Sequence, residues 1–246
     1  MRLTIANLST QVTQAHFDGV VAALQKQVTE DFQPEWGLHA TLKAIYISLA
    51  HKKAPIQSDA DAVLYLGDTS QDPTTGVDGA EGYHSGNNKH VPYGFVYLDI
   101  CKSEKTSWTV ALSHEVLELL GDPDVLLTVS GPAPKGARAK TVYYELEVCD
   151  ATEGDIYRID GVQVSNFVGR RYFGLSGGSG KTNHLGLPLR ALGVRPNGYL
   201  QYEEGSRACT IWGRTVTDEQ KVAKARTRKV RRNGRRSNRL NGTSNA

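Results

Sequence analysis

The segment Ser113-His114-Glu115-Val116-Leu117-Glu118 sets a histidine and a glutamate four residues apart, with a second glutamate between them. On a helix, positions i and i+4 stack on one face, so His114 and Glu118 reach a common point and can share one ion, while Glu115 points in an adjacent direction. In the H-E-x-x-H spacing of zinc sites, two imidazoles hold the metal and the intervening Glu takes a proton from metal-bound water. Here the second imidazole is replaced by a carboxylate. It still ligates zinc, but it is anionic and harder, so bound water ionises less readily and other divalent ions become competitive. The chemistry this segment suits is activation of water by a divalent metal, zinc first, with Glu115 as the general base.

A catalytic site of this kind needs a third protein ligand and an open coordination position. The acidic stretch Glu145-Leu146-Glu147-Val148-Cys149-Asp150 lies downstream. Glu147 is the ligand of choice, with Asp150 one turn on to orient the ring nitrogen of His114. Glu145, Asp122 and a directly ligating Asp150 are the alternatives. The spacing alone occurs by chance on many amphipathic helices. Here, however, the glutamates sit in an otherwise nearly continuous apolar helix, where an unpaired charge is costly.

These residues need elements to hold them. Thr106 or Ser107 can cap a helix over 106–121 whose apolar surface runs from Trp108 to Leu120, and Gly121-Asp122-Pro123 stops it. Upstream, 2–7, 40–49, 62–66 and 93–100 read as strands, with a helix after Ser9 or Thr10 that carries Phe17, Val20, Val21, Leu24 and Val28 at helical spacing and ends at Pro34 and Gly37. Residues 67–92, rich in Gly, Asp, Asn, Thr and Pro, lack either period and read as a long loop, as do 128–140. His84 and His90 lie in the first of these loops and are candidates for substrate contact. The stretch 142–151 is compatible with either period and is read as a helix, because Leu146, Glu147 and Asp150 then fall on adjacent faces. Asp160-Gly161 between 156–159 and 162–168 is a strong hairpin signal, and a second hairpin-like stretch runs from Pro196-Asn197-Gly198 to Trp212.

The chain of 246 residues is long enough to bury a core. Its formal charge of +3 hides an asymmetry, because residues 221–246 hold ten Lys and Arg and no acid. Taking those ten from the 29 basic residues leaves 19 against 26 acidic ones, so 1–220 carries −7 and the tail +10. The expected organisation is an α+β domain over 1–215 and a disordered basic tail over 216–246, transiently helical at most near 218–230. Arg228, Lys229, Arg231, Arg232, Arg235 and Arg236 of that tail could bind nucleic acid by releasing counterions. It has no aromatic residue to stack on bases. No stretch approaches a membrane span and no leader is visible, so the expectation is a protein of the cytoplasm, or of a virion if phage-encoded, without a membrane partner. Cys101, Cys149 and Cys209 are too few and scattered for a disulfide framework and read as reduced, buried small hydrophobes. Gly177-Gly178-Ser179-Gly180-Lys181-Thr182 invites a phosphate-loop reading, but that pattern requires Gly at position 175, which is Leu.

The segments SHEVLELLGDP (113–123), YELEVCDATEGDIYRIDGVQVSNFV (144–168) with Tyr172-Phe173 just after, and NGYLQY (197–202), in this order, resemble an uncharacterised bacterial and phage family that looks like a zincin-type metallopeptidase domain. That family carries Glu where the second zinc histidine would stand. The resemblance implies a zincin-like domain with a mixed sheet, an active-site helix, a second helix and a hairpin. It also implies His114 and Glu118 as ligand positions, Glu115 as general base and the 147–150 segment as part of the site. Two functional classes follow. One is a metal-dependent hydrolase, with a peptide or protein substrate, or an inactive descendant of one. The other is a structural or virion-associated protein that uses the tail to bind nucleic acid.

Overall fold

The apolar residues of Arg2–Asn7 form a central strand, β1, buried along almost its whole length in a computed structural model that describes residues 1–47, 60–71, 77–87 and 90–228. The next two apolar runs, β2 (Thr41–Tyr46) and β3 (Ala62–Gly67), flank it in parallel. Between β1 and β2 the chain crosses over through α1 (Gln14–Lys26), a π-helical turn (Gln27–Phe32) and the short α2 (Gln33–Trp36). Thr13 caps α1 by accepting from the amide of His16, and Gly37 ends α2 in the left-handed region at φ 71°. β5 (Pro92–Tyr97) adds parallel to β3, and β4 (Gly82–Gly86) closes that edge antiparallel, giving the order β2-β1-β3-β5-β4.

After β5 come α3 (Leu98–Ser103) and α4 (Trp108–Gly121). The chain then builds a four-stranded antiparallel sheet from β6 (Thr128–Pro132), β7 (Thr141–Glu145), β10 (Tyr199–Glu204) and β11 (Arg207–Trp212), in the order β11-β10-β7-β6. A hairpin, β8 (Ile156–Ile159) and β9 (Val162–Ser165), projects between β7 and β10 in sequence. Its turn residues Asp160 and Gly161 take φ of 49° and 84°, the left-handed pair of a type I′ turn. The last described element, α5, spans 218–228.

α4 is the inner helix. It packs on β4 and β5 at one side and on β9 at the other, which is why its apolar residues surround it rather than forming one stripe. The core runs from Leu3, Ile5, Phe17 and Leu24 through Leu112, Val116 and Leu119 of α4 to Val148, Val164 and Phe167. The fold is therefore α+β. Among the described residues no helix is long and apolar enough to cross a membrane.

Four local expectations are corrected. The loop expected over 67–92 contains β4, whose residues Tyr83 to Gly86 are all buried, so no inside-outside alternation marks the strand. Residues 128–140, also expected to be a loop, begin with β6. The strand expected over 93–100 stops at Tyr97 and turns into α3. The helix expected over 142–151 is instead β7, whose Val142, Tyr143 and Tyr144 have strong strand preferences, followed by a turn and a 3-10 segment at Asp150–Thr152.

Candidate metal centre

A cap and two hydroxyls four residues apart on one face lock α4 in place. Ser107 caps it, the Thr109 hydroxyl donates to Gln163 O at 2.7 Å, and the Ser113 hydroxyl donates to Gln27 Oε1 at 2.7 Å while accepting from Ser165 N at 3.0 Å. With the helix fixed, His114 Nε2 lies 3.1 Å from Glu118 Oε1, the i to i+4 pairing expected from sequence. The turn after β7 brings a third group to the same nitrogen, Asp150 Oδ1 at 3.3 Å. The amide of Cys149 donates to Glu118 Oε1 at 3.2 Å, and the Cys149 thiol lies close enough for His114, Glu118 and Cys149 to hold one ion together. A nitrogen carries one proton along one line. Two carboxylate oxygens converging on it are arranged as ligands around a shared cation would be.

A second imidazole completes the cluster from the other side of Glu118. His84, on the edge strand β4, is fully buried, with Nδ1 3.2 Å from Glu115 Oε2 and 3.9 Å from Glu118 Oε2. Its Nε2 faces the carbonyl of Asp122 at 3.2 Å and Glu147 Oε2 at 4.0 Å. Strand and helix approach this closely because residue 82 is glycine, where a Cβ would stand 2.9 Å from Glu115 Oε1. His84, Glu115 and Glu118 form a second group that could hold an ion.

The site gathers Glu115, Glu118, Glu147 and Asp150, all buried, around two imidazoles. Burial and then the neighbouring Asp150 push the Glu118 carboxyl up to about 8, against an ordinary 4.5. Burial opposes the charged form of His84, but the hydrogen bond it donates to Glu115 and the charge of Glu147 prevail and raise it from 6.5 to about 9. For His114, burial is likewise outweighed by Glu118 and Asp150, and it too is raised.

These shifts share one sign. Glu118 keeps in the fold a proton that the unfolded chain releases above 4.5, so its contribution to stability falls as pH rises towards 8. The contribution of His84 is fully present below 6.5 and is lost as pH passes 9. The metal-free protein should therefore lose stability in urea denaturation between these limits, from mildly acidic to alkaline pH. A divalent ion, which competes with the same protons, should stabilise it increasingly as pH rises. Apoprotein stability that is flat or rising with pH across this interval would count against the arrangement.

His114 is the member of the cluster that lines a cavity. It forms part of the floor of a cavity of about 430 Å³, which is also lined by Glu81, Glu104, Ser107, Glu153 and Lys224. Lys224, from α5, pairs with Glu153 at 2.7 Å and lies 5.0 Å from the centre of the Tyr199 ring, so α5 is one wall of the cavity. No family model, curated protein or solved structure matches the chain. The site is therefore read from its own geometry.

His114 and Glu118 stand together as expected. Glu147, the expected third ligand, faces His84 instead; Asp150, expected to orient His114, lies 3.3 Å from its Nε2, and Cys149 is the residue that joins His114 and Glu118 in a group able to hold one ion. The strand at β7 is the reason: a tight turn, not a helical face, presents the acidic segment. Glu115 is turned to His84 and is not among the residues lining the cavity. Of the alternatives, Asp122 accepts from the amides of Leu126 and Leu127 at 2.9 and 2.8 Å and so shapes the turn after α4. Glu145 is paired with Arg228. His84 was expected to touch substrate but lies inside the cluster, and His90 is exposed.

Part of the basic segment is an ordered element among the described residues. Residues 218–228 form α5, and Arg228, expected to contact nucleic acid, is buried, with its guanidinium donating to Glu145 and to the carbonyls of Tyr202 and Cys209. A guanidinium so engaged has no donor fork left for a phosphate. Lys229, Arg231, Arg232, Arg235 and Arg236 lie outside the described residues. The glycine-rich 177–182 segment does cradle an anion, but the anion is Glu35. Its carboxylate accepts from the amides of Arg170 at 2.8 Å and Ser179 at 2.6 Å, and a Cβ at Gly178 would stand 2.3 Å from it.

Proposed function

We propose that this protein is a divalent-metal-dependent hydrolase of zincin-like type, acting on a peptide or protein. His114, Glu118 and Cys149 hold the ion, Asp150 stands beside it at 3.3 Å from His114 Nε2, and zinc is the leading metal. The convergence of two buried carboxylates on one imidazole nitrogen at the floor of an open cavity carries this reading. Ligands about 2.1 Å from a tetrahedral ion lie roughly 3.4 Å apart, and the 3.1 Å between His114 Nε2 and Glu118 Oε1 is close to that edge, with the Cys149 thiol within reach of both. The mixed sheet with the helix of His114 packed against its antiparallel edge strand supports the zincin-like assignment.

Bound at this point, the ion would supply Lewis acidity to a substrate carbonyl and acidify a water on the cavity side. Because Glu115 faces His84, the proton acceptor in this reading is Glu153. It lines the cavity, its carboxyl is raised chiefly by burial, and it lies within the electrostatic reach of His114. Lys224, ion-paired to it, sets its charge. Digestion of an unfolded protein substrate by the zinc-loaded chain tests this. Cleavage should stop with a chelator and in His114→Ala, and Glu153→Gln should retain zinc while losing most of the rate. Metal bound without cleavage of any unfolded protein or peptide mixture would reject the hydrolase reading.

A further inference from the structure

We propose that the cluster holds two divalent cations, the second bound by His84 Nδ1, Glu115 and Glu118, with Glu118 bridging the pair. The inference rests on the first site as read above. Three observations carry it. The two oxygens of the Glu118 carboxylate are divided between the two imidazoles, Oε1 lying 3.1 Å from His114 Nε2 and Oε2 3.9 Å from His84 Nδ1. That division is how a carboxylate spans two ions a few ångströms apart, as in two-metal hydrolytic sites.

The second observation is the orientation of His84. Its Nε2 meets the carbonyl of Asp122 at 3.2 Å, an acceptor that can only take a proton, so Nε2 carries the hydrogen. When a cation displaces the second proton of the ring, this leaves the lone pair of Nδ1 pointing at the carboxylates of Glu115 and Glu118, where the cation would sit. Fixing the tautomer of a ligating histidine through a backbone carbonyl is the usual outer support of a metal site. In the metal-free protein the doubly protonated ring donates from Nδ1 to Glu115 and serves as the internal counterion that the ion would replace.

The third is spacing. The Nδ1 to Glu115 Oε2 distance of 3.2 Å lies close to the roughly 3.4 Å edge of a tetrahedral coordination sphere, and the 3.9 Å to Glu118 Oε2 closes with a small rotation of that carboxylate. One nitrogen and two oxygens make a ligand set suited to zinc, manganese or cobalt. The second ion would help to hold the Glu118 carboxylate in its bridging position and would neutralise Glu115, which packs under β4.

The full chain, stripped with a chelator and titrated with Mn²⁺ or Zn²⁺ at neutral pH, decides the matter by stoichiometry. Two equivalents are expected, and Mn²⁺ at saturation should show the exchange-coupled electron paramagnetic resonance spectrum of a close pair. His84→Gln should bind one equivalent and lose the coupling, while His114→Ala should lose the other ion. A wild-type chain that saturates at one uncoupled equivalent, unaffected by His84→Gln, overturns the second site and leaves the first standing. A chain that binds no ion overturns both. The wild-type count and spectrum need no variant, so they stand even if His84→Gln fails to fold.

Discussion

Replacing Glu118 with glutamine should lower divalent-metal affinity on the order of 100-fold or more, a larger loss than any other single change in the cluster. The residue is buried and touches both imidazoles, so the amide removes an anionic donor from His114 and from His84 together. The substitution nearly preserves volume, and the carboxyl it replaces is held up at about 8 by burial and by Asp150, so at neutral pH the metal-free fold should tolerate the neutral amide well. Loss of metal with retained or increased stability of the apoprotein is the expected signature. Unchanged metal affinity with loss of apoprotein stability would mean that Glu118 serves packing and not an ion.

The second large effect is expected at Arg228→Ala. Its guanidinium donates to Glu145 Oε1 through Nη2 at 2.8 Å and Nε at 3.2 Å, and to the carbonyls of Cys209 and Tyr202 at 2.8 and 3.1 Å. Both partners are buried, and removing one member of such a pair costs about 3–5 kcal/mol because the other charge stays in a poor solvent for it. Urea denaturation should show this loss. The double variant Arg228→Met with Glu145→Leu should recover most of it, since an apolar pair carries no charge to desolvate. The same substitution should loosen α5, exposing the cavity wall that Lys224 forms. A change below about 1 kcal/mol in the single variant would show that α5 is an accessory to the body.

Much of this arrangement was legible in the sequence, and the failures have physical causes. The inner helix was readable because Ser107 offers a cap, Gly121-Asp122-Pro123 a stop, and the spacing between them a helical face. The hairpin was readable from Asp160-Gly161, because few other pairs take two left-handed residues at little cost. The edge strand β4 was not. A strand buried on both faces loses its period-two pattern, and Gly82, which resembles a loop residue, is there to let Glu115 of α4 come close. His84 was consequently placed on a rim rather than inside the site.

The error over 142–151 had the larger consequence. Its apolar and acidic residues satisfy either period, and pairing of β7 with β6 and β10 decides between them. A helix would have presented Glu147 to His114. The strand and turn present Asp150 and Cys149, and direct Glu147 to His84. Arg228 shows the same limit: a run of basic residues reads as a solvated arm, and nothing local marks Arg228 as a residue that reaches a buried glutamate far away in sequence.

The central claim is that the buried cluster of imidazoles and carboxylates is a metal centre. Calorimetric titration of the chelator-treated full chain with Zn²⁺ tests it most directly. The structure predicts saturable, tight binding of at least one equivalent, weakening as pH falls and protons reoccupy the ligands, and loss in His114→Ala of the ion that faces the cavity. A chain that takes up no Zn²⁺ at any pH between mildly acidic and alkaline, with unaltered stability in its presence, would contradict it.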